Sequence, residues 1–434
     1  MTTTEIAPPT EFRVVGTRPV RPDGVDKVTG RAIYGADVRL PGMLYGRVTR
    51  SPHAHARIKR IDVSRALALP GVHAVVTAVD LPAPTEPVMQ TIRGPQPSQW
   101  ESDRILAGGK ALFRGHPIAA VCATDPHIAE DAAALIEVEY EVLPPVVTLE
   151  DALAPDAPIL HDDGLASLVA GLCEVDGRPS NVARTTTLGF GDLEAGFAAS
   201  DVVLEQTYET SMAHQGYIEP HNATAQWNRD GKVTIWTSTQ GAFGVRQGVA
   251  RVLNIPLGDL RVIPAEIGGG FGAKNVIYLE PLAALLSKKS GRPVQMTMNR
   301  TEVLEATGPT SGTRSWIKLG AKKDGTILAA DIRLEYEAGA YPGSPVAGGA
   351  RCALGPYVVP NQRIVGLDVV LNRPKTAAYR APGAPAGAFP SSRSSTSWRS
   401  GWTWTRWSCA CATAPRWACR ARTAPSRARW VPAR

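Results

Sequence analysis

Apolar and polar positions follow two spacings along this chain. Short apolar or alternating runs bounded by turn residues predict strands at 45–50, 72–77, 137–143 and 202–210. Three- and four-residue spacing predicts a helix at 128–136, running directly into strand 137–143, and another at 243–253, ending before Pro256. A third helix is predicted at 279–289. Pro281 falls in its first turn, where no backbone donor is required, and Gly291 lies past its end. Asn228-Arg-Asp-Gly231 reads as a type I′ hairpin turn, because Asp-Gly readily takes φ > 0 positions. The strand after it, 232–239, delivers Gln240 at its exit. Strand 259–267 follows and ends in Gly268-Gly-Gly-Phe-Gly272. Lys322-Lys-Asp-Gly325 marks a second hairpin, between strands 315–319 and 327–336.

The organisation is α+β. Residues 1–20 are Thr/Pro-rich and read as a flexible arm. A first α/β domain spans 21–147. Pro144-Pro145 and Ala154-Pro-Asp-Ala-Pro158 announce a linker at 148–180, followed by a second α+β domain at 181–390. No internal repeat is visible.

Composition supports a folded enzyme-sized chain: 434 residues, 44% hydrophobic and 20% charged. No run of about 18 apolar residues occurs, so no membrane span is expected. The first twelve residues lack the basic start and apolar stretch of a secretory signal, which makes a cytoplasmic location the expectation. The formal charge of +7 is misleading. Residues 391–434 carry nine Arg, no Lys and no acid, with six of the ten Trp and three of the six Cys. Removing those nine charges leaves −2 for residues 1–390, a body with no call for nucleic acid.

Candidate chemistry is sparse. Cys122, Cys173 and Cys352 are far apart and form no CxxC, which excludes a Cys-rich zinc site or an iron–sulfur cluster within residues 1–390. His214-Gln-Gly-Tyr-Ile-Glu-Pro-His221 holds two His and Glu219, but its spacing matches neither HExxH nor a paired-His helix, so no protein-ligated metal is expected. His53 and His55 would face one side of a strand, in a packing role. Gly268–Gly272 fits neither GxGxxG nor GxxxxGK[ST], and Lys274 lacks a following Ser/Thr. Taken alone it reads first as a tight turn, although glycines also let backbone N–H groups approach an anion. Gln240 can orient a ligand oxygen or cap the next helix. Arg380, in Ala378-Tyr-Arg-Ala-Pro-Gly-Ala-Pro385, sits on a stiff loop able to hold it against an anionic group, or is simply solvated there.

Together these segments resemble the molybdopterin-binding catalytic subunit of the xanthine dehydrogenase/aldehyde oxidase family. The first domain, with Thr29-Gly-Arg-Ala-Ile-Tyr-Gly-Ala-Asp37, Ser51-Pro-His-Ala-His-Ala-Arg57 and Gly115-His-Pro-Ile-Ala-Ala-Val121, resembles the family's α/β hammerhead domain. His214–Pro220, Ser238-Thr-Gln240, Gly268–Lys274 and Ala378–Gly383 follow in family order. The resemblance covers about residues 20–390 and makes 181–390 the first part of a molybdopterin-binding domain. It implies a molybdopterin-type molybdenum cofactor, the cytosine dinucleotide form among its variants, with few or no direct protein ligands. By analogy Gln240 hydrogen-bonds an oxygen ligand of the metal. The backbone of Gly270, Phe271 and Gly272 borders the cofactor, and the Arg380 loop approaches from the other side. A substrate is hydroxylated at an electron-poor carbon, and the electrons leave through an iron–sulfur subunit and an FAD subunit, whose motifs this chain lacks.

Departures from the family pattern bear on the substrate. Asn275 stands where purine oxidases have Glu, and Pro382 where they have an aromatic residue. Ala381 stands where carbon-monoxide dehydrogenases have a metal-bridging Cys. Asn275, Pro382 and Glu219 are therefore the expected substrate-pocket residues, and an aldehyde, N-heterocycle or aromatic thioester is the expected substrate. The stretch 212–220 resembles the aromatic acyl-CoA reductase branch. Ala386 replaces a usual Gln. The family's general-base Glu belongs to a later part of a chain about twice this long, so this chain alone is expected to be inactive. The alternative is a non-catalytic remnant or partner-binding domain whose Arg/Trp tail binds nucleic acid or membrane surfaces.

Codon logic offers another account of that tail. Residues 394–402, back-translated with GC-rich codons and read from the third base, give Val-Val-Asp-Glu-Leu-Ala-Glu-Arg-Leu. Residues 403–413 continue as Asp-Met-Asp-Pro-Val-Glu-Leu-Arg-Leu-Arg-Asn. That text has helical spacing and balanced charge, so 391–434 is expected to be a disordered, out-of-frame tail. Resequencing the DNA after codon 390 tests this; an intact frame encoding the tail as written refutes it.

Overall fold

The computed structural model describes residues 12–397. A seven-stranded mixed sheet carries the main core. Its strand order is Leu260–Pro264, Val233–Thr237, Asn222–Trp227, Val294–Thr297, Leu44–Arg50, Pro117–Ala123, Val72–Thr77. Three of these strands precede residue 147 and four follow residue 181, so the join between the two sequence regions lies inside one sheet. Leu44–Arg50 meets Val294–Thr297 in parallel there, with Leu44 opposite Val294. Gly46 makes the fit possible: a Cβ on it would sit 2.7 Å from the Met296 side chain, which fills the space instead.

Helix Glu280–Ser290 packs on this sheet. It is buried from Glu280 to Ser287, where the run Pro281–Leu286 is apolar on every side, and its polar end at Lys288–Ser290 reaches the surface. Pro281 occupies its first turn, and Gly291 ends it at φ +67°. Helix Pro126–Ala134 covers the strands of the first region and starts earlier than its periodicity suggested, because the Asp125 side chain accepts from the His127 N–H. A five-stranded sheet, ordered Val182–Phe190, Asn361–Val370, Ile327–Gly339, Thr313–Ala321, Val202–Thr210, forms the second large layer. A small sheet of Lys110–Ala111, Ala56–Asp62 and Glu137–Val142 completes the first region.

Several expectations change. The stretch 148–180 is packed structure rather than a free tether: Leu149, Leu160, Val169 and Leu172 are buried in one cluster with Val369, Val370 and Leu371. Of the arm, residues 12–20 are exposed, and 1–11 lie outside the described residues. Neither hairpin uses a type I′ turn, since only the glycine takes positive φ: Gly231 at +87° and Gly325 at +86°. Gly231 N donates to Asn228 O and Gly325 N to Lys322 O, so each is a longer loop ending in a left-handed glycine. His53 and His55 lie on the bends before strand Ala56–Asp62, not in a strand. His55 Nδ1 bonds Pro144 O, and His53 packs edge-on against Tyr140, both packing roles.

The tail expectation also changes at its start. Residues 391–397 are not disordered; they end a helix, Ala384–Ser397. Gly387 lets that helix approach helix Val346–Ala353, for a Cβ there would lie 2.3 Å from Gly349 O. Phe389 packs edge-on against Tyr208, and Ser394 Oγ bonds the Tyr208 hydroxyl. Residues 398–434 lie outside the described residues.

Three buried histidines make stability pH-dependent. Burial pushes His116 and His161 down to about 4 and His221 to about 3. In the unfolded chain each binds its proton at about 6.5. The unfolded state therefore takes up more protons below that pH. The unfolding free energy should fall as pH drops from about 6.5 towards 4, by up to ~1.4 kcal/mol per pH unit for each histidine. Urea denaturation at several pH values measures this; a flat profile over that interval would sink the reading.

Candidate cofactor site

Two adjacent parallel strands aim the site. Val233–Thr237 pairs in parallel with Leu260–Pro264, Ile235 opposite Val262. The first exits into Ser238-Thr-Gln240 and the second into the glycine loop. Ligand sites commonly form where parallel strands end.

The glycine loop wraps around the Gln240 amide. Gln240 Oε1 accepts from Gly272 N at 2.7 Å and from Lys274 N at 3.3 Å. Gln240 N and Thr239 Oγ1 both donate to Lys274 O. Gly270 must be glycine, because a Cβ would sit 2.6 Å from Gln240 Oε1. With its oxygen committed to the loop, the amide keeps its two N–H groups for a ligand, and its side chain is exposed. Gln240 does not cap the following helix; Gly241 is the capping residue.

The Arg380 loop closes on the same place. Arg380 N donates to Phe271 O at 3.0 Å, and a Cβ on Gly272 would meet Ala378 O at 2.8 Å. Both loops adopt strained backbone: Phe271 has φ +52°, Gly272 +105°, Arg380 +30° and Ala381 +67°. Phe271 and Arg380 are exposed. The structure thus brings together Gln240, Gly270, Phe271, Gly272 and Arg380. Asn275 is joined to them through Nδ2, which donates to Gly272 O, while its side chain stays exposed. Pro382 is exposed two residues beyond Arg380.

Glu219 differs from expectation. It lies beneath the loop, 11% exposed, and clamps both ends of it. Glu219 Oε2 accepts from Gly268 N at 2.8 Å and from Lys274 Nζ at 2.7 Å. The Lys274 side chain is fully buried, its ammonium 5.1 Å from the centre of the Tyr217 ring. Burial lowers the Lys274 pKa, and the bond to Glu219 opposes that. The other polar residues of 214–221 are scaffold. His221 Nε2 pairs with the Tyr217 hydroxyl, His214 Nε2 with Thr307 Oγ1, and Gln215 Nε2 donates to Gly308 O and Ala378 O. Burial, then the charge of Lys274, holds His221 neutral. Among the described residues no group of three or more His, Cys, Asp or Glu could hold a metal ion. The sequence signal for this clamp was a lysine inside an apolar loop, which has to find a carboxylate.

A pre-strained glycine loop, a fixed amide donor and a second loop at the ends of parallel strands define a cofactor-binding subunit, and known proteins share its plan. Residues 175–394 match the molybdopterin cofactor-binding domain, and 29–144 the aldehyde oxidase and xanthine dehydrogenase a/b hammerhead domain. The chain belongs to the xanthine dehydrogenase/aldehyde oxidase family of molybdopterin-binding subunits. It is 32% identical to the nicotinate dehydrogenase large molybdopterin subunit of Eubacterium barkeri, over 86% of this chain and 83% of that one. It is 36% identical to a probable xanthine dehydrogenase subunit of Bacillus subtilis, over 84% of this chain and 46% of that one. Quinoline 2-oxidoreductase of Pseudomonas putida 86 superposes with a TM-score of 0.79 at 31% identity, over 92% of this chain and 50% of that one. The chain spans about half the length of these last two.

Lys274→Met strands the Glu219 carboxylate in the interior. It should cost about 3–5 kcal/mol, and adding Glu219→Gln should recover a large part of that. Denaturant titration of the two variants and the parent gives the comparison; equal losses in single and double variants contradict the clamp.

Proposed function

We propose that this chain provides one side of the cofactor cradle in a molybdenum hydroxylase. Its substrate is oxidised at an electron-poor carbon, and electrons pass to an iron–sulfur subunit and an FAD subunit. The observation that carries the reading is the Gln240 amide. Its oxygen is locked by two loop N–H groups, so a donor of fixed direction stands at the edge of a glycine loop. That arrangement suits the oxygen ligand of a bound metal centre, and Gly270 and Gly272 let the loop close on Gln240 and on Ala378 so that this donor is held in place. When bound, the molybdopterin-type cofactor supplies the metal at which the substrate carbon is oxidised. Gln240 orients it by hydrogen bonding, Gly270–Gly272 border it with backbone, and the Arg380 loop closes the second side.

We favour an N-heterocycle as substrate over an aldehyde or aromatic thioester. Two of the similar proteins are named for nicotinate and quinoline. Asn275 and Pro382 supply neither the carboxylate nor the aromatic wall that a purine site uses. A displaced reading frame after about residue 390 completes the proposal. Ser394 and Ser395 are buried in helix Ala384–Ser397, where the displaced frame reads Val-Val. Both hydroxyls are hydrogen-bonded there, Ser394 to Tyr208 and Ser395 to Ser392 O, so the codon reading and not their burial supports the displaced frame.

Gln240→Ala tests the reading in the enzyme assembled with its partners. Loss of one preorganised donor should lower kcat on the order of 10²-fold with molybdenum still bound. Unchanged turnover of an N-heterocycle by that variant rules out the role given to Gln240.

A further inference from the structure

Glu280 is a buried carboxyl group outside the cofactor loops. It opens helix Glu280–Ser290 and is 4% exposed. Among the described residues its two oxygens meet uncharged partners: Oε2 accepts from Tyr278 N at 2.9 Å, and Oε1 lies 2.8 Å from Thr237 Oγ1. Thr237 is fully buried and ends strand Val233–Thr237, just before Ser238-Thr-Gln240. Its Oγ1 also lies 2.9 Å from Asn222 O. A threonine hydroxyl has one proton to give. Two acceptors therefore compete for it, a backbone carbonyl and a carboxyl oxygen, in a place closed to solvent.

A second proton resolves the competition. With Glu280 as a carboxylic acid, its O–H donates to Thr237 Oγ1 and Thr237 donates to Asn222 O. The other carboxyl oxygen still accepts from Tyr278 N, so every contact joins a donor to an acceptor. With Glu280 ionised, one proton serves two acceptors, and a buried acceptor left short of a donor is costly. A carboxylate buried with no cation beside it is costlier still. The helix N-terminus favours the charged form, but burial acts more strongly and raises the Glu280 pKa. Its titratable neighbour is Tyr278, whose hydroxyl burial likewise keeps neutral.

The contact also closes a ring of chain. At the site, Gln240 N donates to Lys274 O and Gln240 Oε1 accepts from Gly272 N. Behind the site the same two stretches meet again, where Glu280 joins Thr237 to Tyr278. Strand exit and outgoing loop are thus tied at two levels, which sets the angle at which the Gln240 amide is presented. We propose that Glu280 is a positioning residue that keeps its proton at neutral pH and, through its O–H bond to Thr237, holds Gln240 in register with the glycine loop. Its effect on turnover rests on the function proposed above; the proton and the register do not.

Infrared difference spectra between the full chain and its Glu280→Gln variant, taken near neutral pH, read the proton. The carbonyl stretch of a protonated carboxyl group, shifting in heavy water, is expected; carboxylate stretches alone overturn the proposal. Glutamine repeats the pattern, with N–H for O–H and an oxygen for Tyr278 N, whereas Glu280→Leu breaks it. Amide hydrogen exchange at Gln240 and Lys274 in the full chain should match the parent in Glu280→Gln and quicken about tenfold in Glu280→Leu. In the enzyme assembled with its partners, kcat should fall about tenfold in Glu280→Leu at unchanged KM and return to the parent value in Glu280→Gln. Glutamine as damaging as leucine, or leucine as harmless as glutamine, overturns the positioning role. Should Glu280→Leu not fold, Thr237→Val severs the same bond and is read in the same way. A parent enzyme with no hydroxylase turnover refutes the function proposed above and leaves the infrared and exchange readings to decide this one.

Discussion

Lys274 sits at the end of the glycine loop with its ammonium group shielded from solvent, and the Glu219 carboxylate, 2.7 Å away, answers its charge. That carboxylate also holds Gly268 N at the start of the loop. Glycine backbone resists ordering more than any other, because it loses the most freedom on folding. A loop carrying four glycines in five residues therefore needs an anchor stronger than ordinary turn bonds. A buried, hydrogen-bonded ion pair is such an anchor, since separating its partners is strongly unfavourable. Both ends of the loop meet at one group, and its middle is left free to take the shape its other contacts dictate.

Those contacts come from Gln240 on one side and the Arg380 loop on the other. Each binds the loop through backbone groups: Gln240 Oε1 through Gly272 N and Lys274 N, Arg380 N through Phe271 O. Strain is shared between the partners, with Phe271, Arg380 and Ala381 all at positive φ. Such strain persists only where the surroundings over-determine the backbone. Gln215 bridges Gly308 O and Ala378 O, and so ties the Arg380 loop to the scaffold that carries Glu219. Neutral, buried His221 adds no second positive charge beside Lys274.

The seven-stranded sheet explains why the two sequence regions act as one body. Strand Leu44–Arg50 of the first region pairs with Val294–Thr297 of the second, and the site hangs from two further strands of the same sheet. The chain between the regions contributes buried leucines to a core with Val369 and Val370, which leaves little play between the layers.

Local pattern determined a good deal of this protein. Helices 243–253 and 279–289, strand 202–210, the glycine loop and the position of Gln240 at a strand exit were all legible, because each depends on neighbours a few residues apart. The family followed from motif order, and residue-by-residue analogy selected Gln240, Phe271 and Arg380. The turn type of Asn228–Gly231 was misread, since Asp-Gly is compatible with more than one loop and strand twist chooses between them. Tertiary structure alone decided the rest. Glu219 became a clamp rather than a pocket wall because Lys274, 55 residues away, is buried against it. The two predicted domains became one sheet because parallel pairing spans about 250 residues, a relation that hydrophobic periodicity does not encode. Periodicity tells which side of an element is buried; what it is buried against, and which polar groups are left facing each other, depends on packing between elements.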